Sequence, residues 1–117
     1  VVHTPEDYAS WAQHQLQPAQ PPAEPFLRSG HDLFMQSGCI ACHSIRGTQA
    51  MGSNGPDLTH VGGRLSLAAG NFPVHQGTLA GWIANSQRVK PGNHMPAFST
   101  FLGTELRALA AYLESLR

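Results

Sequence analysis

The segment Cys39-Ile40-Ala41-Cys42-His43 contains the residues of this chain best suited to bind a cofactor. Two cysteines at this spacing, followed directly by a histidine, are typical of the covalent attachment of a c-type haem. The two thiols add to the vinyl groups along one porphyrin edge, and the imidazole of the next residue then lies beneath the iron. The pattern therefore predicts that Cys39 and Cys42 bind one haem c and that His43 is an axial iron ligand.

Other uses of two cysteines agree less well with the sequence. A thioredoxin-like dithiol normally lies at a strand-to-helix junction within a βαβ pattern, which is not found around this motif. A structural zinc site usually has four ligands in two separated pairs, and the chain has only two cysteines. A structural disulfide is disfavoured at so short a spacing in a chain without other thiols.

Met95 is the candidate for the sixth iron ligand. It lies in the segment 90–98, where two prolines and a glycine exclude regular helix and predict a stiff, extended loop. Adjacent side chains of an extended segment point to opposite sides, so Met95 and its neighbour His94 should not both face the iron. A methionine ligand favours an electron carrier, whereas an open sixth position favours a peroxidase-like or ligand-binding haem domain. The competing residues are Met35, Met51, His31, His60, His75 and His94.

Three stretches of the chain predict helices around these residues, and none predicts a sheet. Apolar residues recur at helical spacing over 27–37, and Gly38 stands where this helix should end. A further helix is predicted over 77–87. Thr104 should cap the last helix, whose apolar stripe extends to Leu116. Because only 41% of the residues are hydrophobic, a central porphyrin should complete the core.

The order of the motifs resembles that of class I cytochromes c. After the haem motif come Gly55-Pro56-Asp57-Leu58, the Met95-Pro96 loop and a last helix with Leu109-Ala110-Ala111-Tyr112-Leu113. The resemblance covers residues 26–117. It implies an all-α cytochrome c fold, in which helices and loops surround one covalently attached haem c.

The same resemblance assigns roles to individual residues. The face of the first helix with Gly30 and Phe34 should cross the last helix at Leu109 and Tyr112. Pro56 should accept a hydrogen bond from His43 Nδ1, which would fix the imidazole and raise its basicity. Pro56 and Leu58 are thus candidate haem-binding residues.

Two further side chains are candidates for the haem propionates. Arg64 is a suitable bidentate partner for a carboxylate, although a plain surface role is an alternative. Trp82 has an indole N–H for the other propionate, although core packing alone would also account for it.

Residues 1–25 should lie outside the haem domain. Thr4-Pro5-Glu6-Asp7 predicts the start of a short helix, and four prolines between Leu16 and Pro25 predict an extended spacer of roughly 30 Å. We therefore expect removal of residues 1–22 to change the stability little. The start at Val1, without a methionine or a signal peptide, leads us to expect an excised domain.

The segment from Val1 to Trp11 resembles the end of the dinuclear-copper domain in subunit II of cytochrome c oxidases, where V-x-x-P-E-x-(aromatic)-x-x-W closes the cupredoxin part. A cytochrome c domain attached there is characteristic of caa-type oxidases, and the stretch from Trp82 to Gly92 also resembles those domains. By this resemblance, residues 1–25 are the tail of a cupredoxin-like domain plus a linker. The dinuclear copper is expected in the parent subunit, outside this chain.

The implied function is one-electron transfer, without catalysis by the isolated domain but within a parent cytochrome c oxidase. The donor would be a respiratory cytochrome or iron–sulfur protein, and the acceptor the copper domain of the same subunit. A free-standing carrier, or a domain fused to another enzyme, would share this chemistry. We expect a soluble domain on the outer face of the bacterial cytoplasmic membrane, attached to it only through the parent. Seven basic and seven acidic residues give no reason to expect a nucleic-acid partner.

Overall fold

Four α-helices, joined by loops and short turns, form the framework of the part of the chain that the structure describes. The computed structural model describes residues 2–117, so Val1, the first residue of the predicted copper-domain tail, lies outside the described residues. Within that part, no helix is both long and apolar enough to cross a membrane. The helices are α1 (Pro5–Leu16), α2 (Pro25–Gln36), α3 (Gln76–Val89) and α4 (Gly103–Ser115).

The predicted all-α class is confirmed, with one small addition. Strands β1 (Ser66–Leu67) and β2 (Phe72–Pro73) form an antiparallel pair before α3, in which Leu67 lies opposite Phe72. Strands of two residues are too short to show an alternating pattern, which explains why the sequence does not predict them. Single turns of 3₁₀-helix span Cys39–Ala41 and Val61–Gly63.

Helices α2 and α4 cross at a glycine. A Cβ atom on Gly30 would lie 2.0 Å from Ala108 O, so only a residue without a side chain allows this approach. Beside it, the buried rings of Phe34 and Tyr112 pack with their centroids 6.4 Å apart. Burial raises the pKa of the Tyr112 phenol to about 12. The predicted crossing of these two faces is confirmed.

The ends of α2 and α4 follow from local hydrogen bonding. Helix α2 ends before Gly38, whose φ of 87° is left-handed, as the sequence predicts. The prediction that Thr104 caps α4 is wrong, because the helix begins two residues earlier than such a cap allows. Glu105 Oε1 accepts a hydrogen bond from Leu102 N–H at 2.8 Å and so satisfies this terminus.

Helix α3 is slightly longer than the predicted range 77–87 and has a kink. At its start, Nδ1 of His75 accepts hydrogen bonds from the N–H groups of Gly77 and Thr78, at 3.1 and 3.3 Å. Near its end, Asn85 has a non-helical conformation, with φ −139° and ψ 39°. The axis of the last turn of α3 is therefore tilted away from the axis of the preceding turns.

The segment after α1 is docked on the rest of the molecule. Arg46 donates hydrogen bonds to Gln15 O (2.6 Å) and Leu16 O (3.2 Å), and the N–H of Ala19 donates to Arg46 O (2.8 Å). The ring nitrogens of His60 lie 2.9 Å from Gln17 O and 3.0 Å from Arg117 O, and His14 Nε2 also lies 3.0 Å from Arg117 O. The prediction that this segment is a spacer with few contacts is therefore wrong.

Candidate haem site

A cavity of about 490 Å³ lies between α2, α3, α4 and the loops that join them. Its walls include the apolar side chains of Phe34, Leu79, Ile83 and Leu109. A mostly apolar cavity of this size, with a few polar groups pointing into it, is the usual form of a cofactor site. All eight residues that the sequence singles out line this one cavity: Cys39, Cys42, His43, Pro56, Leu58, Arg64, Trp82 and Met95.

The two cysteines lie on a tight turn that begins at Gly38. The N–H groups of Cys42 and His43 both donate to Cys39 O, at 3.2 and 2.9 Å, so the motif closes on itself. Both thiols are free. Cys39 is partly buried, and its burial, with a smaller effect of the neighbouring Cys42, raises the pKa of its thiol. Cys42 is exposed.

His43 is held from one side of its ring by the backbone of the following loop. Its Nδ1 donates to Pro56 O at 2.8 Å, which is the hydrogen bond that the resemblance implies. This bond fixes the tautomer and leaves Nε2 as the nitrogen with a free lone pair. Gly55 allows the close approach, because a Cβ there would lie 2.6 Å from Cε1 of the ring.

Met95 lies in a loop that the end of α3 holds in place. Its side chain is partly buried and packs against the hydrophobic core. Its N–H donates to Asn93 Oδ1 (2.7 Å), and its carbonyl accepts from Ser86 Oγ and Gln87 Nε2, both at 2.8 Å. Further along, the N–H of Phe98 donates to Ile83 O at 2.9 Å. The loop is therefore attached to α3 on both sides of Met95.

Among residues 2–117, His94 is the one competing ligand that shares the cavity with Met95. His94 is exposed and Met95 is partly buried. That only one of these neighbours faces the iron stays a prediction. Met51 is 83% exposed. Met35 and three histidines have other neighbours. His31 lies 2.9 Å from Asp32 Oδ1, His60 bonds the docked segment, His75 caps α3, and Met35 packs on the core.

Arg64 and Trp82 reach the cavity from different elements. Arg64 donates to Asp57 O at 2.5 Å, which links the loop after His43 to the turn at Val61–Gly63. Trp82 is partly buried on α3. Both residues line the cavity, and guanidinium and indole N–H groups are donors that could bind anionic substituents of a bound group.

Asp57 connects the cavity wall to the docked segment after α1. Partial burial raises the pKa of this carboxyl, but the hydrogen bonds from Thr59 and the charge of Arg46 outweigh burial and bring the pKa below its ordinary value. Arg46 Nε lies 3.6 Å from Asp57 Oδ2. Asp57 directly follows Pro56, whose carbonyl accepts the hydrogen bond from His43.

Sequence reasoning missed Ser86, Gln87, Asn93 and Gly55. A polar residue such as Ser86, within an otherwise apolar helical stripe and nine positions before a methionine that a proline follows, is only a weak signal. Gly55 belongs to the motif Gly55-Pro56-Asp57-Leu58, but its contact with His43 depends on the tertiary structure.

The donor set agrees with an iron porphyrin bound through two thiols. The cavity has two thiols, an oriented imidazole and a thioether among its lining residues, and its walls are largely apolar. Imidazole and thioether together are an established axial pair for haem iron. The arrangement defines the class of protein as a haem protein of the c type.

The comparisons with known proteins agree with this class. The family model for cytochrome c matches residues 27–117, and the chain therefore belongs to the cytochrome c family. The predicted cytochrome c fold is thus confirmed, and membership implies a haem c as the cofactor.

The chain is also similar to longer proteins. It is 32% identical over 112 residues to cytochrome c oxidase subunit 2 of Alkalihalophilus pseudofirmus. The identity is 30% over 118 residues for the same subunit of Bacillus sp. strain PS3, and 22% over 116 residues for that of Bacillus subtilis. Each match covers 96% of this chain but 32% of the relative, so the chain spans about a third of the length of the curated relatives it matches.

Proposed function

We propose that this chain is the electron-carrying domain of a terminal oxidase, with one haem c attached through Cys39 and Cys42 and its iron bound by His43 and Met95. The observation that carries the proposal is the placement of these four side chains on one largely apolar cavity. The haem supplies reversible one-electron chemistry at its iron. The protein supplies the two ligands, the oriented imidazole and the exclusion of water.

The partners in this proposal are a respiratory donor, a cytochrome or an iron–sulfur protein, and the dinuclear copper domain of the same oxidase subunit. Two observations support the acceptor. The relatives are named cytochrome c oxidase subunit 2, and a match to 96% of this chain must extend well into the residues before 27, where the cytochrome c family model begins. The similarity to oxidase subunits thus includes α1, which the haem domain alone does not require.

The proposal also includes the remaining sequence predictions. Residues 1–25 are the end of a cupredoxin-like domain and its linker, and residues 26–117 are the cytochrome c domain. The parent is of the caa type and presents this domain on the outer face of the bacterial cytoplasmic membrane. Arg64 and Trp82 bind the propionates of the haem, and Leu58 packs against the porphyrin.

Replacing Met95 tests the ligand assignment. We expect Met95→Ala to remove the weak long-wavelength sulfur-to-iron absorption band of the oxidised protein, because the thioether is lost. The reduction potential should fall, since methionine ligation raises it, while the haem stays covalently attached. Met35→Ala and Met51→Ala are the matched controls and should keep the band. An unchanged spectrum in Met95→Ala would make His94 the leading candidate.

The dependence of electron transfer on salt tests the tethered arrangement. Freely diffusing carriers gain speed from long-range attraction, which salt screens over a Debye length of about 10 Å at 0.1 M. This chain has one lysine, Lys90, and a formal net charge of zero. A tether instead raises the effective concentration to about the millimolar range. We therefore expect oxidation by the matching copper domain to depend only weakly on ionic strength, through a mixed or apolar patch near the Cys39–Cys42 loop.

Stopped-flow oxidation across a salt series measures this dependence directly. The control is the same chain with lysines added on its exposed surface. That control should gain a steep salt dependence. A rate for the unmodified chain that fell by orders of magnitude between low and moderate salt would contradict the proposal.

A further inference from the structure

Three polar side chains at the end of α3 and in the following loop attach the Met95 loop to the helix, and their arrangement bears on which residue can reach the iron. They are Ser86, Gln87 and Asn93, and each contacts the backbone of Met95. Ser86 is fully buried, at 0% exposure, and its hydroxyl donates across to the loop at Met95 O. A buried hydroxyl is costly unless it is hydrogen-bonded, so this partner matters to the fold of the loop.

Asn93 ties the loop together from its other side. Its Oδ1 accepts from Met95 N–H at 2.7 Å, and its Nδ2 donates to Ser86 O (2.9 Å) and Lys90 O (2.7 Å). The two peptide groups that flank the Met95 side chain are therefore both bonded. The rotation of Met95 about its own backbone is restricted by α3 rather than by the prolines alone.

His94 makes this restriction significant for the site. Its imidazole lines the same cavity, and histidine is the commonest metal ligand in proteins. Turning the loop so that His94 replaces Met95 would move both peptide groups of Met95. That movement breaks the bonds from Ser86, from Gln87 and to Asn93 together.

We infer that Ser86 and Asn93 are positioning residues that hold Met95 at the sixth position of the haem iron and keep His94 from it. The inference depends on the proposed function, in which Met95 is that ligand. The two residues act through the backbone of Met95 and do not touch the iron.

The variants Ser86→Ala and Asn93→Ala test this role in the haem-loaded protein. The readouts are the sulfur-to-iron absorption band and the affinity of the oxidised protein for added imidazole, which competes with Met95. We expect each variant to weaken the band and to bind imidazole about tenfold more tightly, a change within the range expected when a buried group loses its hydrogen-bond partner.

Two matched controls separate this effect from a general loss of stability. In Ser115→Ala, a serine hydroxyl that donates to Tyr112 O at 2.6 Å is lost from α4. In Asn71→Ala, an asparagine amide that donates to Ala68 O at 2.8 Å is lost from the loop between the two strands. Both controls should keep the band and the imidazole affinity of the unmodified protein. If Ser86→Ala fails to fold, Asn93→Ala, which changes a partly exposed loop residue, still tests the inference.

Adding His94→Ala to each positioning variant tests the competition. We expect the band to be partly restored, because the displacing imidazole is absent. Unchanged band and affinity in both single variants would overturn the positioning role, and no recovery with His94→Ala would overturn the selection against His94. An unmodified protein without the band would instead contradict the proposed ligand, so the two failures are distinguishable.

Discussion

At the scale of single residues, the orientation of His43 depends on backbone atoms. Pro56 O binds its Nδ1, and Gly55 provides the space for the ring. The acceptor is a backbone carbonyl, and glycine has no side chain to occupy the space of the imidazole. The motif Gly55-Pro56 thus specifies a ligand orientation without any polar side chain.

The variant Gly55→Ala should disturb this orientation. Its Cβ would lie 2.6 Å from Cε1 and 2.8 Å from Nδ1 of His43, so the ring or the loop must move. We expect the free energy of unfolding of the haem-loaded protein to fall by about 1–3 kcal/mol, as for other overpacked sites. Denaturant unfolding followed at the haem absorption measures the change. Gly63→Ala is the control, because its nearest atom would be 3.8 Å away; equal losses in both variants would argue against a specific contact.

At the scale of elements, the helices could be predicted from the sequence better than their connections. The apolar repeat over 27–37 and the stop at Gly38 predict α2 correctly, because helix periodicity and a left-handed glycine are local properties. The sequence places the start of α4 two residues too late, because Thr104 has the side chain of a typical cap, whereas the terminus is satisfied by Glu105 from within the first turn.

The parts of the site that depend on long-range contacts were less predictable. The haem motif and Met95 are recognisable because their chemistry requires particular residue types. The network of Ser86 and Asn93 joins the end of α3, beyond its kink at Asn85, to the following loop, so its partners depend on the tertiary structure. His75 likewise appeared as a possible ligand, and only the structure places it as a cap.

The crossing of α2 and α4 should tolerate no side chain at residue 30. We expect Gly30→Ala to lower the free energy of unfolding by about 3 kcal/mol or more, since its Cβ would overlap Ala108 O. Gly81→Ala is the matched helical control, with no atom within 4 Å of its Cβ. That change should raise the free energy of unfolding by about 0.5–1 kcal/mol through helix propensity. Thermal unfolding of both variants would distinguish them; a neutral Gly30→Ala would contradict the close crossing.

At the scale of the whole molecule, the docked segment changes an expectation drawn from the sequence. Removal of residues 1–22 eliminates the hydrogen bonds from Arg46 to Gln15 O and Leu16 O and the contact of Ala19 with Arg46. At about 1 kcal/mol for each net hydrogen bond, less the cost of ordering the segment, we expect a loss of about 1–3 kcal/mol in stability.

A shorter deletion provides the control for this prediction. Residues 1–12 precede His14, the first of the segment's residues bonded to the domain, and Tyr8 and Trp11 remain 58% and 47% exposed. Removal of residues 1–12 should change the free energy of unfolding by less than about 0.5 kcal/mol. Chemical denaturation of the two deletions and the full chain compares them. Equal stability of all three would mean that the docked contacts do not form in solution.

The docking also fixes where the molecule can pivot. Ten extended residues would let a haem domain sweep an arc of roughly 30 Å radius around whatever precedes it. With residues 14–19 attached to Arg46, His60 and Arg117, the free arm is shortened to residues 5–13 of helix α1, which span about 14 Å as a rigid rod. In the proposed oxidase, the haem would then approach the copper from a narrow range of directions, and the swing would occur at the N-terminal end of α1 rather than in the proline-rich stretch.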